Sequence, residues 1–291
     1  MVKDKQTVLK EKLASAVKPS IIRRTLSLPK RCWRKYSRLM KIVEPVREVK
    51  AHTFWNEEID VILPEVVSTI IWKKGYFEED VCLFMLNLLQ DGMTFIDVGA
   101  HFGFFTLLGA YLVGEKGKVL SFEPIPYTYN QLQKNTATHP NVDIFNYAAF
   151  SEETEIKFHD YGLENCAYNS GFGIRGEKTD LKSKELIVRA RKIDNVIREK
   201  GYKRVDLVKI DAESSEFHVL NGMVETLNTF RPGIIVEVGD CKISGVPNSE
   251  EIVTWLEKRG YFTYEIHNSN LIKHIKKTHY GYGNILFIPG K

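Results

Sequence analysis

Along most of the chain, short apolar runs alternate with longer stretches whose apolar residues recur at spacings of three and four, a pattern of strands joined by helical crossovers. Residues 94–99 (TFIDVG) predict a buried strand, and residues 102–113 a helix apolar on nearly all sides. Residues 118–123 (KVLSFE) predict a second strand. The helix after it, residues 127–138, carries Tyr129, Leu132 and Thr136 on one side and is ended by Pro140. A third strand is expected at 142–148, and 155–159 with 186–190 read as a strand pair flanking a Gly-rich loop. Residues 206–211 (DLVKID) predict another buried strand, and the following helix places Phe217, Leu220, Val224 and Leu227 on one stripe. A strand at 234–238 (IIVEV), a helix at 249–258 with Ile252, Trp255 and Leu256 inward, and closing strands at 262–266 and 285–288 complete the series.

This alternation specifies an α/β fold with a mostly parallel sheet covered on both faces. Ligands in such folds bind beyond the carboxyl ends of the strands, where the strand order reverses. The positions to inspect are therefore 97–103, Glu123, Asn146, 211–216 and 237–240.

The length of 291 residues suits one large domain with an extension: a basic amphipathic arm at 1–50, a lead-in of helix and strand at 51–93, and the main domain at 94–291. With 43% hydrophobic and 27% charged residues, the composition excludes collagenous, disordered and disulfide-rich classes. The four cysteines, Cys32, Cys82, Cys166 and Cys241, stand singly without zinc-finger spacing and read as reduced. The longest uncharged stretch, 98–114, contains His101 and four glycines and is too short for a membrane span. Without a secretory signal pattern at the N-terminus, a cytoplasmic location is expected. The net charge of +4 conceals an arm that holds 15 Lys or Arg against 4 Asp or Glu. Such an arm either packs one face on its own domain or touches an anionic membrane or nucleic acid, which would make the protein peripheral to a membrane in the first of those cases.

The turn DVGAHFG (97–103) joins the first strong strand to its helix. It lacks the G-x-G-x-x-G of dinucleotide binders, and the charge of Asp97 would repel a pyrophosphate while attracting an ammonium or sulfonium. Glu123 ends the next strand, where a carboxylate accepts hydrogen bonds from adjacent ribose hydroxyls. Together these residues point to S-adenosylmethionine. The cofactor-binding candidates are Asp97, Gly99, Ala100, His101, Gly103, Glu123, Pro124 and Asn146.

On GYFEED (75–80), FIDVGAHFGFFT (95–106), SFEPIPYTYNQLQKN (121–135), NYAAF (146–150), NSGFG (169–173), VKIDAESSEFHVLNGM (208–223), IIVEVGD (234–240) and NILFIP (284–289), the chain resembles the FkbM family of S-adenosylmethionine-dependent methyltransferases. The resemblance covers about residues 54–289 and implies a seven-stranded class I methyltransferase fold, usually acting on a hydroxyl of a sugar or polyketide. The chain departs from the family pattern at His101, where Asn is usual, at Ser214, where Gly is usual, and at Gly239, where His is frequent.

Methyl transfer to an alcohol needs in-line approach and removal of a proton. Asp211 and Glu213, at the end of a central strand, are the catalytic candidates. Glu216 follows them and is suited equally to capping the next helix. Asn169, Ser170, Glu216 and Glu237 are candidates for substrate binding, and the loop 161–176 reads as a lid. His218 is expected to face away from the ligand edge. Asp211, Glu237 and Asp240 could hold a divalent ion, although a metal-free site is the preferred reading. The expected acceptor is a glycan or other hydroxylated small molecule. The rival readings are a nucleic-acid methyltransferase, against which the chain shows DAES where a Pro-Pro motif would stand, and a non-catalytic scaffold tethered by the arm.

Overall fold

A computed structural model describes residues 4–17, 46–171, 183–240, 246–267 and 270–290. The arm contributes a helix α1 (Lys5–Val17) and most of strand β1 (Arg47–His52), which pairs antiparallel with β2 (Glu58–Leu63) of the lead-in, and the lead-in continues with helices α2 (Val66–Lys74) and α3 (Glu79–Leu88). The repeating unit then begins: β3 (Thr94–Val98), α4 (Phe104–Val113), β4 (Lys118–Phe122), α5 (Pro126–Thr136) and β5 (Val142–Phe145). After β6 (Ala148–Ala149), β7 (Thr154–Asp160), a 3-10 turn (Leu163–Tyr168) and β8 (Lys184–Arg191) come α6 (Ile193–Lys200), β9 (Leu207–Ile210), α7 (Glu216–Asn221) and α8 (Val224–Phe230). The chain closes with β10 (Gly233–Val238), α9 (Ser249–Glu257), β11 (Tyr261–His267), β12 (Asn270–Lys273) and β13 (Gly283–Pro289).

The main sheet runs β12-β11-β13-β10-β9-β3-β4-β5. From β10 to β5 the pairings are parallel, and β13 inserts antiparallel between β10 and β11. Side chains alternate between the two faces, so successive residues enter different cores. Phe95, Leu207, Ile235 and Leu286 join the core under α1, α3 and α4, while Ile96, Val208, Ile234, Val236 and Phe287 join the core under α6 to α9. Burial on both faces is why these strands read as continuous apolar runs. The chain runs outward from β3 to β4 and β5, then returns to place β9 on the other side of β3. That reversal brings the end of β3 against the end of β9, where Asp211 N–H donates to Val98 O at 3.2 Å.

The mostly parallel α/β expectation holds, with corrections. The sheet has eight strands, because β12 extends the edge beyond the seven expected. The predicted strand 142–148 is two: β5 ends at Phe145, and β6 pairs instead with β8 in a separate three-stranded sheet with β7. The predicted stripe after β9 is divided between α7 and α8. Between them Gly222 keeps helical dihedrals while Met223 (φ −131°, ψ 25°) leaves them; a Cβ on Gly222 would lie 1.9 Å from Phe150 O, so the backbone passes too close there for an ordinary side chain. Leu220 and Leu227 are buried as expected, but Phe217 and Val224 are only partly covered. Trp255 is likewise half-covered, packed edge-on against Phe217.

Within the arm, α1 buries Leu9 and Leu13 in the core beside α3, so this stretch packs on its own domain. The basic segment from Arg23 to Lys41 lies outside the described residues. Cys82 and Cys166 are free and buried, while Cys32 and Cys241 lie outside the described residues.

Candidate functional site

The turn after β3 is built by backbone geometry that restricts its residues. Gly99 has φ 75°, and a Cβ there would lie 1.8 Å from Asp211 O, so only glycine lets the ends of β3 and β9 meet. Gly99 N–H and Ala100 N–H both donate to Phe122 O, at 3.0 and 3.1 Å. Gly103 (φ 94°) precedes α4 beside Leu132. His101 also has positive φ, 51°, a conformation that Asn adopts more easily than most residues. Its N–H donates to Glu123 Oε2 at 3.0 Å, and its Nε2 lies 3.0 Å from Cys166 Sγ in the 3-10 turn. Glu123 Oε1 accepts from Ile125 N–H at 3.0 Å. The Asn146 amide donates to Glu123 O and Pro124 O, so it fixes the segment that carries the glutamate.

Asp97 is fully buried. Its Oδ2 accepts from Thr106 Oγ1 at 2.7 Å, while Oδ1 has no hydrogen-bond partner although Lys209 Nζ stands 3.8 Å away. Lys209 Nζ is also 3.3 Å from Asp211 Oδ2. Burial works against the Lys209 ammonium, but Asp211, Asp97 and Glu78 outweigh it and hold it charged above the usual range. Burial raises the Asp97 carboxyl, pushes Glu123 up to about 7, and, with the charge of Asp211 adding, pushes Glu78 up to about 8. Asp97, Asp211 and Glu78 thus share one buried ammonium, with Glu123 buried nearby. A cationic ligand with a sulfonium and an ammonium relieves that excess, whereas a pyrophosphate would worsen it. The residues present therefore fit S-adenosylmethionine.

Sequence reasoning did not single out Glu78 and Lys209, which the fold couples to Asp211. Glu78 precedes α3 at φ 41°, inside the GYFEED motif that carried part of the resemblance. Nothing in its periodicity marked it, because its role depends on where the lead-in docks. Lys209 read as one residue of a buried strand.

At the carboxyl ends of β9 and β10, Asp211, Glu213 and Glu237 bring carboxylate oxygens within 4.8 Å of one another. Glu213 and Ser214 both have positive φ, 45° and 81°, which turns the chain sharply between β9 and α7. Glu216 Oε1 accepts from Ala212 N–H and Ser214 N–H at 3.2 Å, so its carboxylate braces this turn from within. Ser170 Oγ donates to Glu213 O at 2.6 Å, and Asn169 bonds Tyr161 N–H and the Tyr127 hydroxyl. Both residues are buried and fasten the start of the expected lid, and its remainder from residue 172 lies outside the described residues. Asp240 stands apart from the carboxylate cluster, bound to Ser249 N–H, Tyr280 N–H and His279. His218 faces Ser151 and stacks on Phe150, away from the edge as expected.

A parallel sheet with an acidic residue ending each of β3, β4 and β9 around a glycine turn defines the class I, S-adenosylmethionine-dependent methyltransferase architecture. The chain belongs to the Methyltransferase FkbM domain family, whose sequence pattern matches residues 97–263. It is similar to a hexuronic acid methyltransferase of Haloferax volcanii, AglP, at 25% identity, covering 55% of this chain and 62% of that protein. It is also similar to the 31-O-demethyl-FK506 methyltransferase FkbM of Streptomyces tacrolimicus at 26% identity, covering 60% and 74%. The antimetabolite synthetase AmbE of Pseudomonas aeruginosa matches at 25% identity over 61% of this chain, and there the chain spans a tenth of the relative's length. Among solved structures, a methyltransferase FkbM from Methylobacillus flagellatus aligns at 12% identity with a TM-score of 0.43, covering 71% of this chain and 50% of the other.

Proposed function

We propose that the chain is an O-methyltransferase acting on a hydroxyl of a sugar, glycoconjugate or similar small molecule. The observation that carries this reading is the convergence of Asp211, Glu213 and Glu237 beside the buried groups Asp97, Glu78 and Lys209. When bound, S-adenosylmethionine supplies a methyl group on a sulfonium, which an oxygen nucleophile displaces in line. An alcohol is a weak nucleophile until its proton is held by a base, and Asp211 and Glu213 are the carboxylates assigned to orient the hydroxyl and take that proton. Glu123 and the Gly99 to Gly103 turn would hold the nucleoside side, and Asp97 and Glu78 the cationic side. The names of two relatives, a hexuronic acid methyltransferase and a 31-O-demethyl-FK506 methyltransferase, support an oxygen acceptor. The three-carboxylate cluster also favours a test for a divalent ion.

The test is turnover of methyl-labelled S-adenosylmethionine against methyl glucopyranoside, methyl galactopyranoside, methyl glucuronide and a single-stranded RNA, with and without a chelator. Label is expected in an alkali-stable ether on a glycoside. Asp211→Asn and Glu213→Gln should each lower kcat by about 100-fold, the ordinary contribution of a positioned base, with cofactor affinity little changed. Transfer to RNA alone, or normal turnover by both variants, overturns the reading. Loss of activity in chelator restored by Mg²⁺ would assign the cluster to metal binding instead of proton transfer.

A further inference from the structure

Beside the carboxylate cluster lies a cavity of about 160 Å³ that no part of the proposed transfer uses. It opens at the carboxyl end of β10, where β13 begins, and Asp80, Glu265, Lys277, Tyr282 and Asn284 contribute to its lining. Asn284 pairs with Glu237 across the β10–β13 ladder and donates its amide to Asp80 Oδ2 at 3.2 Å, which ties the cavity to the transfer edge.

Its rim is fixed by a buried relay. His274 is nearly inaccessible, with Nδ1 2.9 Å from Glu265 Oε1 and Nε2 2.9 Å from the Tyr280 hydroxyl. Tyr280 N–H donates to Asp240 Oδ2 at 2.8 Å, and Asp240 N–H donates back to Tyr280 O at 2.9 Å. The loop is thus fastened two residues before Tyr282, whose side chain remains 62% exposed. Tyr282 lies over Gly239: a Cβ built on that glycine would sit 3.5 Å from the Tyr282 Cα and Cγ. Any longer side chain at position 239 would compete with the ring for the same space.

We propose that this cavity is an acceptor subsite for a pyranose ring, with Tyr282 as an aromatic platform and Asp80, Glu265, Lys277 and Asn284 as hydroxyl partners. An aromatic face suits the C–H side of a sugar, and a cluster of carboxylate, amide and ammonium groups suits its vicinal hydroxyls. Fastening the loop in advance lowers the cost of ordering it on binding. This inference rests on the glycoside reading above and specifies where the ring is held.

The test uses the full chain, the same three methyl glycosides as acceptors, and the variants Tyr282→Ala, Tyr282→Phe and Gly239→His. Removing one aromatic platform should raise KM for the methylated glycoside about fivefold to tenfold. Tyr282→Phe should stay near wild type because the face is retained, and Gly239→His should raise KM as Tyr282→Ala does. Calorimetric affinity for S-adenosylmethionine should be unchanged in all three. If the wild type methylates a glycoside and Tyr282→Ala leaves KM unaltered, the subsite is wrong and the O-methyltransferase reading stands. If the wild type methylates none of the three, that reading falls first and the subsite falls with it.

Discussion

The turn proposed for the cofactor and the edge proposed for the acceptor meet at the touching ends of β3 and β9, yet they are assembled in opposite ways. The turn proposed for the cofactor comes from one continuous βαβ unit, Asp97 through Glu123, in which a hydrogen bond joins His101 to Glu123, while Glu78 and Lys209 reach it from other elements. The acceptor side is gathered from distant segments: Glu213 held by Ser170, Glu237 laddered to Asn284, and Asn284 bonded to Asp80 more than 200 positions earlier. Positive φ on the cofactor side falls mainly on glycines, whereas on the acceptor side it falls on Glu213 and Ser214. Local construction tolerates little variation, while nonlocal construction on strained, non-glycine backbone leaves room for side chains to change with the acceptor.

The sharpest way to break this contrast is Gly99→Ala. The added methyl would overlap Asp211 O at 1.8 Å and occupy a left-handed backbone, so the ends of β3 and β9 must separate. A loss of at least about 3 kcal/mol is expected, from steric overlap combined with unfavourable φ, together with loss of detectable cofactor binding. Denaturant unfolding and calorimetry on the variant check both. A variant that melts and binds as the wild type does would show that the two strand ends are not held at this distance.

The same contrast explains what was legible in the sequence. The buried strands were visible because each presents an apolar run, and the cofactor turn because its glycines and carboxylates fall in order within about 30 residues, the size of one βαβ unit. The two-part strand at 142–149 and the broken helix after β9 were not. Both breaks leave the local apolar pattern intact: β6 turns away to pair with β8, and the helix breaks at Met223 between Leu220 and Leu227, which both stay buried. Glu216 read equally as a helix cap and as a substrate ligand, and its Oε1 braces its own turn, a contact that only the direction of the carboxylate reveals. Glu78 and Lys209 stayed hidden for a similar reason: their significance is their shared charge with Asp211 and, for Lys209, with Asp97 as well.

Glu78 offers the next largest effect because it joins the two regions electrostatically. Its carboxyl, ordinarily near 4.5, is raised to about 8. Between those values the folded protein retains a proton that the unfolded chain releases, so this group's contribution to stability falls as pH rises from 4.5 through 8 and stays low above that. Glu78→Gln should therefore stabilise the cofactor-free protein by about 1–3 kcal/mol at pH 9, the cost of holding a buried carboxylate beside Asp211, and by little at pH 5. Affinity for S-adenosylmethionine should move the other way, weakening about tenfold as a carboxylate partner of the cationic side is lost. Thermal melts across pH with calorimetry at pH 8 read the two signs. A variant whose melting shift is the same at pH 5 and 9 would remove the buried charge from the account, and unchanged affinity would remove Glu78 from the cofactor site.

The smallest effect tests whether the acceptor edge holds strain for a reason. Ser214 stands at φ 81°, where the related family usually has Gly, and its N–H is tied to Glu216 Oε1 at 3.2 Å, so the turn cannot relax locally. A left-handed conformation costs a residue with a Cβ about 1–2 kcal/mol, and glycine escapes that cost while losing about 0.5–1 kcal/mol to the greater freedom of the unfolded chain. Ser214→Gly should thus stabilise the protein by about 0.5–1 kcal/mol, opposite in sign to Gly99→Ala although both exchange glycine and a small residue at positive φ. The gain should come with a looser Glu213, because the residue after it acquires new backbone freedom. A decrease in kcat of about twofold to fivefold with unchanged cofactor affinity is the expected signature of a trade between stability and positioning. If the variant is more stable and equally active, the strain at Ser214 contributes nothing to catalysis. If it is less stable, contacts of the serine side chain outweigh the backbone cost, and the acceptor edge is as tightly specified as the cofactor turn.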